Sequence, residues 1–221
     1  MSASTTAKPT CDLPIAGIIP FSATDWPGRL TVTAFTQGCP LRCVYCHNPS
    51  LQEFRPGAHD FAEVLELLDA RRGLLDGLVI SGGEPTASHG LAEAIAATHD
   101  MGFRVGLHTC GYAPNRLAKL FERPDTTPDW IGLDVKGLPQ DMPAVAGCTL
   151  PVAQASWRSL DLMAASGIEL QVRTTLWRGS VLEEHLPELK EKVGGYGQEL
   201  VVQWARDCDA DGHYQGQSAA A

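Results

Sequence analysis

Cys39, Cys43 and Cys46 stand in the stretch QGCPLRCVYCHNP, residues 37–49, with spacing C-x3-C-x2-C. Three thiols within eight positions are a ligand set for a soft metal centre. Gly38, Pro40 and Pro49 mark the stretch as loop, and a loop can wrap around such a centre. Three chemistries fit these letters. Zinc could take the three thiolates with His47 as the fourth ligand. Cys43-Val-Tyr-Cys46-His47 also reads as C-x-x-C-H, the attachment pattern of c-type haem. A four-iron cluster could take the three thiolates and leave one iron open to another molecule.

The elements around this loop must hold it in place. Strands are expected at 30–36, 77–80, 103–107, 130–135, 168–174 and 199–204, from short β-branched and apolar runs bounded by turn residues. Helices are expected at 61–72, 91–101, 114–121, 155–165 and 181–193, with Pro187 a blemish in the last. Residues 15–21 read as an apolar lead-in and 25–28 as a turn. Alternating strands and helices with short links predict an α/β fold with a parallel sheet and helices outside. Six units are too few for a closed eight-fold barrel, so the expected fold is an open, partial (β/α)6 barrel. The cysteines, Ser81-Gly82-Gly83-Glu84-Pro85, Thr109, Asp134 with Lys136, and Arg173 all fall near strand C-termini. That edge is where parallel α/β folds bind ligands.

Composition narrows the class. Of 221 residues, 44% are hydrophobic and 19% charged, which fits a folded soluble domain. A net charge of −9 argues against a general nucleic-acid binder. No run of 18 apolar residues is present, so no membrane span is expected. Residues 1–10 are small and polar and carry no secretory h-region, so seven cysteines imply reduced thiols or metal ligands and a cytoplasmic location. Haem attachment, which normally implies export, fits this poorly. The expected organisation is a flexible tail over 1–14, one domain over 15–206 and a flexible tail over 207–221.

With these residues placed, the chain resembles the radical S-adenosylmethionine (SAM) enzymes, and more closely the activating proteins of anaerobic ribonucleoside-triphosphate reductase. The resemblance runs from about Gly17 to about Thr175 and rests on DWPGRLTVTAFTQGCPLRCVYCHNP, VISGGEP, WIGLDVKG and QVRTT. It implies a [4Fe–4S] cluster on Cys39, Cys43 and Cys46, with SAM chelating the fourth iron. The reduced cluster would cleave SAM to methionine and a 5′-deoxyadenosyl radical, and that radical would generate a glycyl radical on a partner enzyme. A flavodoxin- or ferredoxin-type protein would deliver the electron.

The same resemblance implies roles residue by residue. Tyr45 would lie near the adenine. Gly82 and Gly83 would let backbone approach SAM, and Glu84 would accept from its ammonium. Thr109 and Gly111 would line the ribose side. Asp134 and Lys136, two apart on one strand, would help bind SAM, and Arg173 would pair with its carboxylate. Two positions depart from the pattern. His108 replaces an Asp that supports a monovalent cation in pyruvate formate-lyase activating enzymes, so that cation site does not carry over. Cys110 stands where Asn is common and reads as a small packing residue. Two other readings are a radical enzyme acting on a small molecule, in the style of deazaguanine synthases, and an iron–sulfur or zinc protein without turnover.

Overall fold

The computed structural model describes residues 11–216. Seven strands form one sheet in sequence order: β1 (Ile15–Ser22), β2 (Thr31–Thr36), β3 (Gly77–Gly82), β4 (Arg104–Thr109), β5 (Trp130–Asp134), β6 (Glu169–Leu176) and β7 (Leu200–Trp204). β1 pairs antiparallel with β2, and every later pair is parallel. β1 and β7 do not pair with each other, so the sheet stays open. The expected partial barrel is therefore present, with one correction. The apolar lead-in is itself a strand. Its pairing is irregular between Ile15 and Gly17 and between Ile19 and Ser22, and it contains Pro20, which an edge strand tolerates. Those irregularities hide the period-2 signal.

The helices are α1 (Phe61–Ala70), α2 (Leu91–Asp100), α3 (Pro114–Leu120), α4 (Met142–Ala146), α5 (Leu150–Ser166), α6 (Val181–Glu184) and α7 (Leu186–Gly194). Two differ from expectation, and proline explains both. The helix expected at 155–165 starts at Leu150, because Pro151 sits in its first turn, where a missing N–H costs nothing. The stretch 181–193 splits at His185, and Pro187 opens α7 rather than blemishing one long helix. α4 was not anticipated; it is short and also begins with a proline.

Alternation along the strands divides two cores. Val32, Leu78 and Ile80, Val105 and Leu107, Ile131 and Leu133, and Val172 face the helices and join Val64, Leu68, Ile95, Leu117 and Leu160 in the main core. The intervening residues line the concave side. There Trp26 stacks on Trp130 at 5.6 Å beside Val79. This plug closes the lower part of the half-barrel, so the open space lies at the strand C-termini. Among the described residues, no helix is long and apolar enough to cross a membrane.

Candidate functional site

The cysteine loop follows β2 and is tied down on three sides. Its Gly38 and Cys39 amides donate to Leu51 O and Gln52 O at 2.9 and 3.2 Å. The buried Gln37 side chain donates to Ser50 O and Glu53 O at 2.9 and 2.7 Å, closing the loop at its base. The Arg42 and Val44 amides donate to Ala146 O and Val145 O in α4. The end of β3 forms the third tie. Glu84 N donates to Gly38 O at 2.9 Å, and a Cβ at Gly83 would come 2.2 Å from that same oxygen. Gly83 is thus required by the close approach of two backbones.

One cleft of about 380 Å³ collects most of the residues singled out from the sequence. Cys39, Cys43, Tyr45, Cys46, Gly82, Gly83, Glu84, Thr109, Asp134 and Lys136 all line it. Gly111 and Arg173 do not. Gly111 sits behind Thr109, with its carbonyl accepting from Ser159 Oγ at 2.6 Å. Arg173 is 8% exposed, and its guanidinium fork is occupied by Asp134 (Nε to Oδ1 3.0 Å, Nη2 to Oδ2 3.3 Å). The cleft also carries residues that the sequence reading did not single out: Thr175, Gln203, Trp204 and Arg206. Their position at strand ends was the one available signal.

Glu84 is 1% exposed and accepts four hydrogen bonds. Oε1 takes Thr86 N (3.0 Å), Thr86 Oγ1 (2.6 Å) and Thr109 Oγ1 (2.7 Å), and Oε2 takes Cys110 N (2.8 Å). It thereby caps the turn Pro85–Ala87 and joins the ends of β3 and β4. Oε2, with one partner, keeps capacity for a ligand donor.

The charged wall is a linked set. Lys136 Nζ lies 3.9 Å from Asp134 Oδ2 and 5.5 Å over the Tyr45 ring. Burial pushes the Asp134 pKa up, but Lys136 and Arg173 outweigh it and hold the carboxyl below its usual range. His108 lies beneath, edge-on to Trp130. Its Nε2 lies 2.8 Å from Asp25 O, and its Nδ1 lies 3.1 Å from Ser81 Oγ. We assign the proton to Nε2, which donates to the carbonyl, while Nδ1 accepts from the hydroxyl. Burial and the neighbouring Arg173 push its pKa down from 6.5 to about 4. Between those values the unfolded chain binds more protons, so stability falls as pH drops from 6.5 toward about 4. This component is on the order of 3 kcal/mol. Denaturant melts of wild type and His108→Gln across that range should diverge accordingly; parallel curves would show that His108 carries its charge in the fold.

Three features of the site fit the cluster and SAM. Burial pushes the Cys39 thiol up to about 12, with Glu84 adding to the shift, and burial raises Cys43 as well. Such thiols are poor thiolates alone and need a soft cationic centre to ionise. The Tyr45 hydroxyl is buried without a hydrogen-bond partner in the cleft wall. Among the described residues, no three His, Cys, Asp or Glu side chains converge on a point that could hold one metal ion. Three cysteines of one loop bordering a single cleft are the donor set that a cuboidal cluster takes when one iron is left to another ligand. His47, the candidate fourth zinc ligand, stacks on Tyr214 at 4.6 Å.

The chain as a whole is similar to known proteins. The profile of the family described as the Radical SAM superfamily matches residues 33–191. A protein of Methanocaldococcus jannaschii, provisionally named a glycyl-radical enzyme activating enzyme, is 25% identical over 183 residues, 81% of this chain and 75% of its own length. The PqqA peptide cyclase of Methylorubrum extorquens is 30% identical over 151 residues, 67% of this chain. The match spans only 38% of the cyclase. Among solved structures, Streptococcus suis SuiB bound to S-adenosylmethionine superposes with a TM-score of 0.60 at 13% identity, over 82% of this chain and 41% of that one. At that identity the likeness is one of fold.

Proposed function

This chain belongs to the Radical SAM superfamily, and on that footing we propose that it activates a partner enzyme by generating a glycyl radical on it. The family's cofactors are a [4Fe–4S] cluster and SAM, which together supply a hydrogen-abstracting carbon radical. The observation that carries the reading is convergence: the three cysteines, the Gly82-Gly83-Glu84 strand end and the Asp134–Lys136 pair line a single cleft.

Each residue then has a task in this proposal. Cys39, Cys43 and Cys46 hold the cluster. Gly82 and Gly83 present backbone to the methionine end of SAM, and Glu84 offers Oε2 to its ammonium. Tyr45 offers a ring face and an unpaired hydroxyl to the nucleoside. Thr109, held by Glu84 and backed by Gly111, fixes the ribose side. Asp134 and Lys136 present opposite charges to the zwitterionic ligand. Arg173, with its fork on Asp134, keeps that carboxylate ionised and aimed, which replaces the direct carboxylate contact expected from sequence.

The partner in this reading is a glycyl-radical protein, anaerobic ribonucleotide reductase in type, whose glycine gives up its Cα hydrogen atom. An open half-barrel leaves room for a protein loop to enter. A flavodoxin- or ferredoxin-type donor provides the electron. The likeness to a peptide cyclase favours a second reading, in which the substrate is a peptide that is modified rather than activated. Anaerobic mixing of this protein, reductant, SAM and a candidate reductase, followed by electron paramagnetic resonance, tests the first. A glycyl doublet on the partner is expected. Formation of 5′-deoxyadenosine without that doublet would leave the family chemistry standing and remove the activase assignment.

A further inference from the structure

Residues 205–216, which follow β7, do not run away from the domain. Ala205 N donates to Leu176 O at 2.8 Å, carrying the chain over the end of β6. Beyond it the segment closes on itself. Gln215 N donates to Asp207 O at 2.7 Å, and Cys208 and Tyr214 form an antiparallel bridge. Asp209 Oδ1 accepts from the Asp211 and His213 amides at 3.0 and 2.8 Å, and its Oδ2 accepts from Gln215 Nε2 at 2.7 Å. A segment with this many internal bonds holds one shape and can act as a unit.

That unit is docked at two points on either side of the cysteine loop. The Tyr214 ring stacks on His47 at 4.6 Å, with 24° between planes. Gly212 lies against Trp177: a Cβ there would come 2.4 Å from the indole, and its φ of +87° disfavours any side chain. Trp177 in turn packs on Tyr45, with centroids 5.8 Å apart. Between the segment and the loop is a second space of about 310 Å³, bordered by Arg42, Cys43, Cys46, His213 and Tyr214. Cys43 and Cys46 therefore border both the main cleft and this second, more open space.

We propose that residues 205–216 form a strap that closes the outer side of the cysteine loop, with Tyr214 and His47 as its clasp. The strap shields Cys43 and Cys46 from solvent and holds the loop against outward motion. That it thereby slows oxidative loss of a cluster rests on the function proposed above.

The direct test does not need the cluster. Metal-free wild type, Tyr214→Ala, Gly212→Val and Tyr214→Phe are treated with iodoacetamide, and alkylation of each cysteine is followed by mass spectrometry. Cys11, hydrogen-bonded to Gly90 O in another part of the fold, is the internal standard. Tyr214→Ala and Gly212→Val should raise the rates at Cys43 and Cys46 relative to Cys11 by roughly two- to tenfold, the range set by losing one aromatic contact. Tyr214→Phe keeps the ring and should stay at the wild-type rate. Unchanged ratios in both strap variants, or an equal rise at Cys11, would overturn the strap. In reconstituted protein, iron–sulfur absorbance in air should decay faster in Tyr214→Ala by a similar factor. An iron count on wild type tests the cofactor separately, so a protein without iron would refute that reading and leave the alkylation result to judge the strap.

Discussion

Cys43→Ala is expected to abolish the cluster and with it all reductive cleavage of SAM. Cys43 sits midway in the triplet and borders the cleft, and its thiol is raised by burial, which makes it a poor thiolate unless a metal centre holds it. Removing it leaves two thiolates for a cluster that needs at least three from the protein. Cys39→Ala and Cys46→Ala should behave alike. Cys11→Ala and Cys208→Ala should leave iron and sulfide per chain unchanged, since neither residue borders the cleft. The measurement is iron and sulfide content after anaerobic reconstitution, paired with 5′-deoxyadenosine formation. Four irons per chain in Cys43→Ala would move the cluster elsewhere.

Glu84→Gln should separate a catalyst from a cluster carrier, and the structure changes how it must be read. The carboxylate is already engaged by Thr86, Thr109 and the Cys110 amide. If the Gln carbonyl takes the three donors at Oε1, its amide nitrogen faces the Cys110 N–H, donor against donor. That conflict costs about 1–3 kcal/mol of local stability. Loss of the charge also removes a charge-assisted bond to a ligand ammonium, so SAM affinity should fall roughly ten- to a hundredfold. Iron content should persist, because Glu84 contributes nothing to cluster ligation. Thr86→Val, at a residue that does not border the cleft, is the control. It removes one donor to Glu84 and keeps the charge, so it should lower the melting temperature while retaining most SAM affinity. Calorimetric titration under strict anaerobiosis reads both. Wild-type affinity in Glu84→Gln would make Glu84 a turn cap alone and displace the ligand from this strand end.

Some of this chemistry is written in the chain itself. The spacing of Cys39, Cys43 and Cys46 is a local property, because eight consecutive positions bring three thiols within reach of one centre wherever the loop lies. The repeat of strand and helix is local too, since a parallel strand pair requires a crossover and the apolar periods show where each begins. Together they were enough for an open parallel sheet with its site at the strand C-termini. Asp134 and Lys136 line one cleft, as their spacing of two at a strand end predicts, although β5 itself stops at Asp134.

What the sequence could not carry depends on neighbours distant in the chain. β1 was missed because its irregular pairing with β2 breaks the alternation on which recognition depends. The resemblance pairs Arg173 with a ligand carboxylate, and its partner within the chain is not legible from spacing. β5 pairing with β6 in the register Asp134 opposite Arg173 supplies that partner. His108 read only as a missing carboxylate. In the fold it is a neutral, buried imidazole held between Ser81 and the Asp25 carbonyl, 27 and 83 positions away. Residues 207–216 read as tail, because small polar residues carry no period. The contacts of Gly212 with Trp177 and of Tyr214 with His47 exist only once β7 delivers the segment beside the cysteine loop. The sequence alone determined the thiol ligand set and the edge of the sheet that bears it. Which charges face the cleft, which are spent on one another and what covers the cysteines from behind were decided by tertiary structure. Those are questions of through-space contact, and one-dimensional spacing does not encode them.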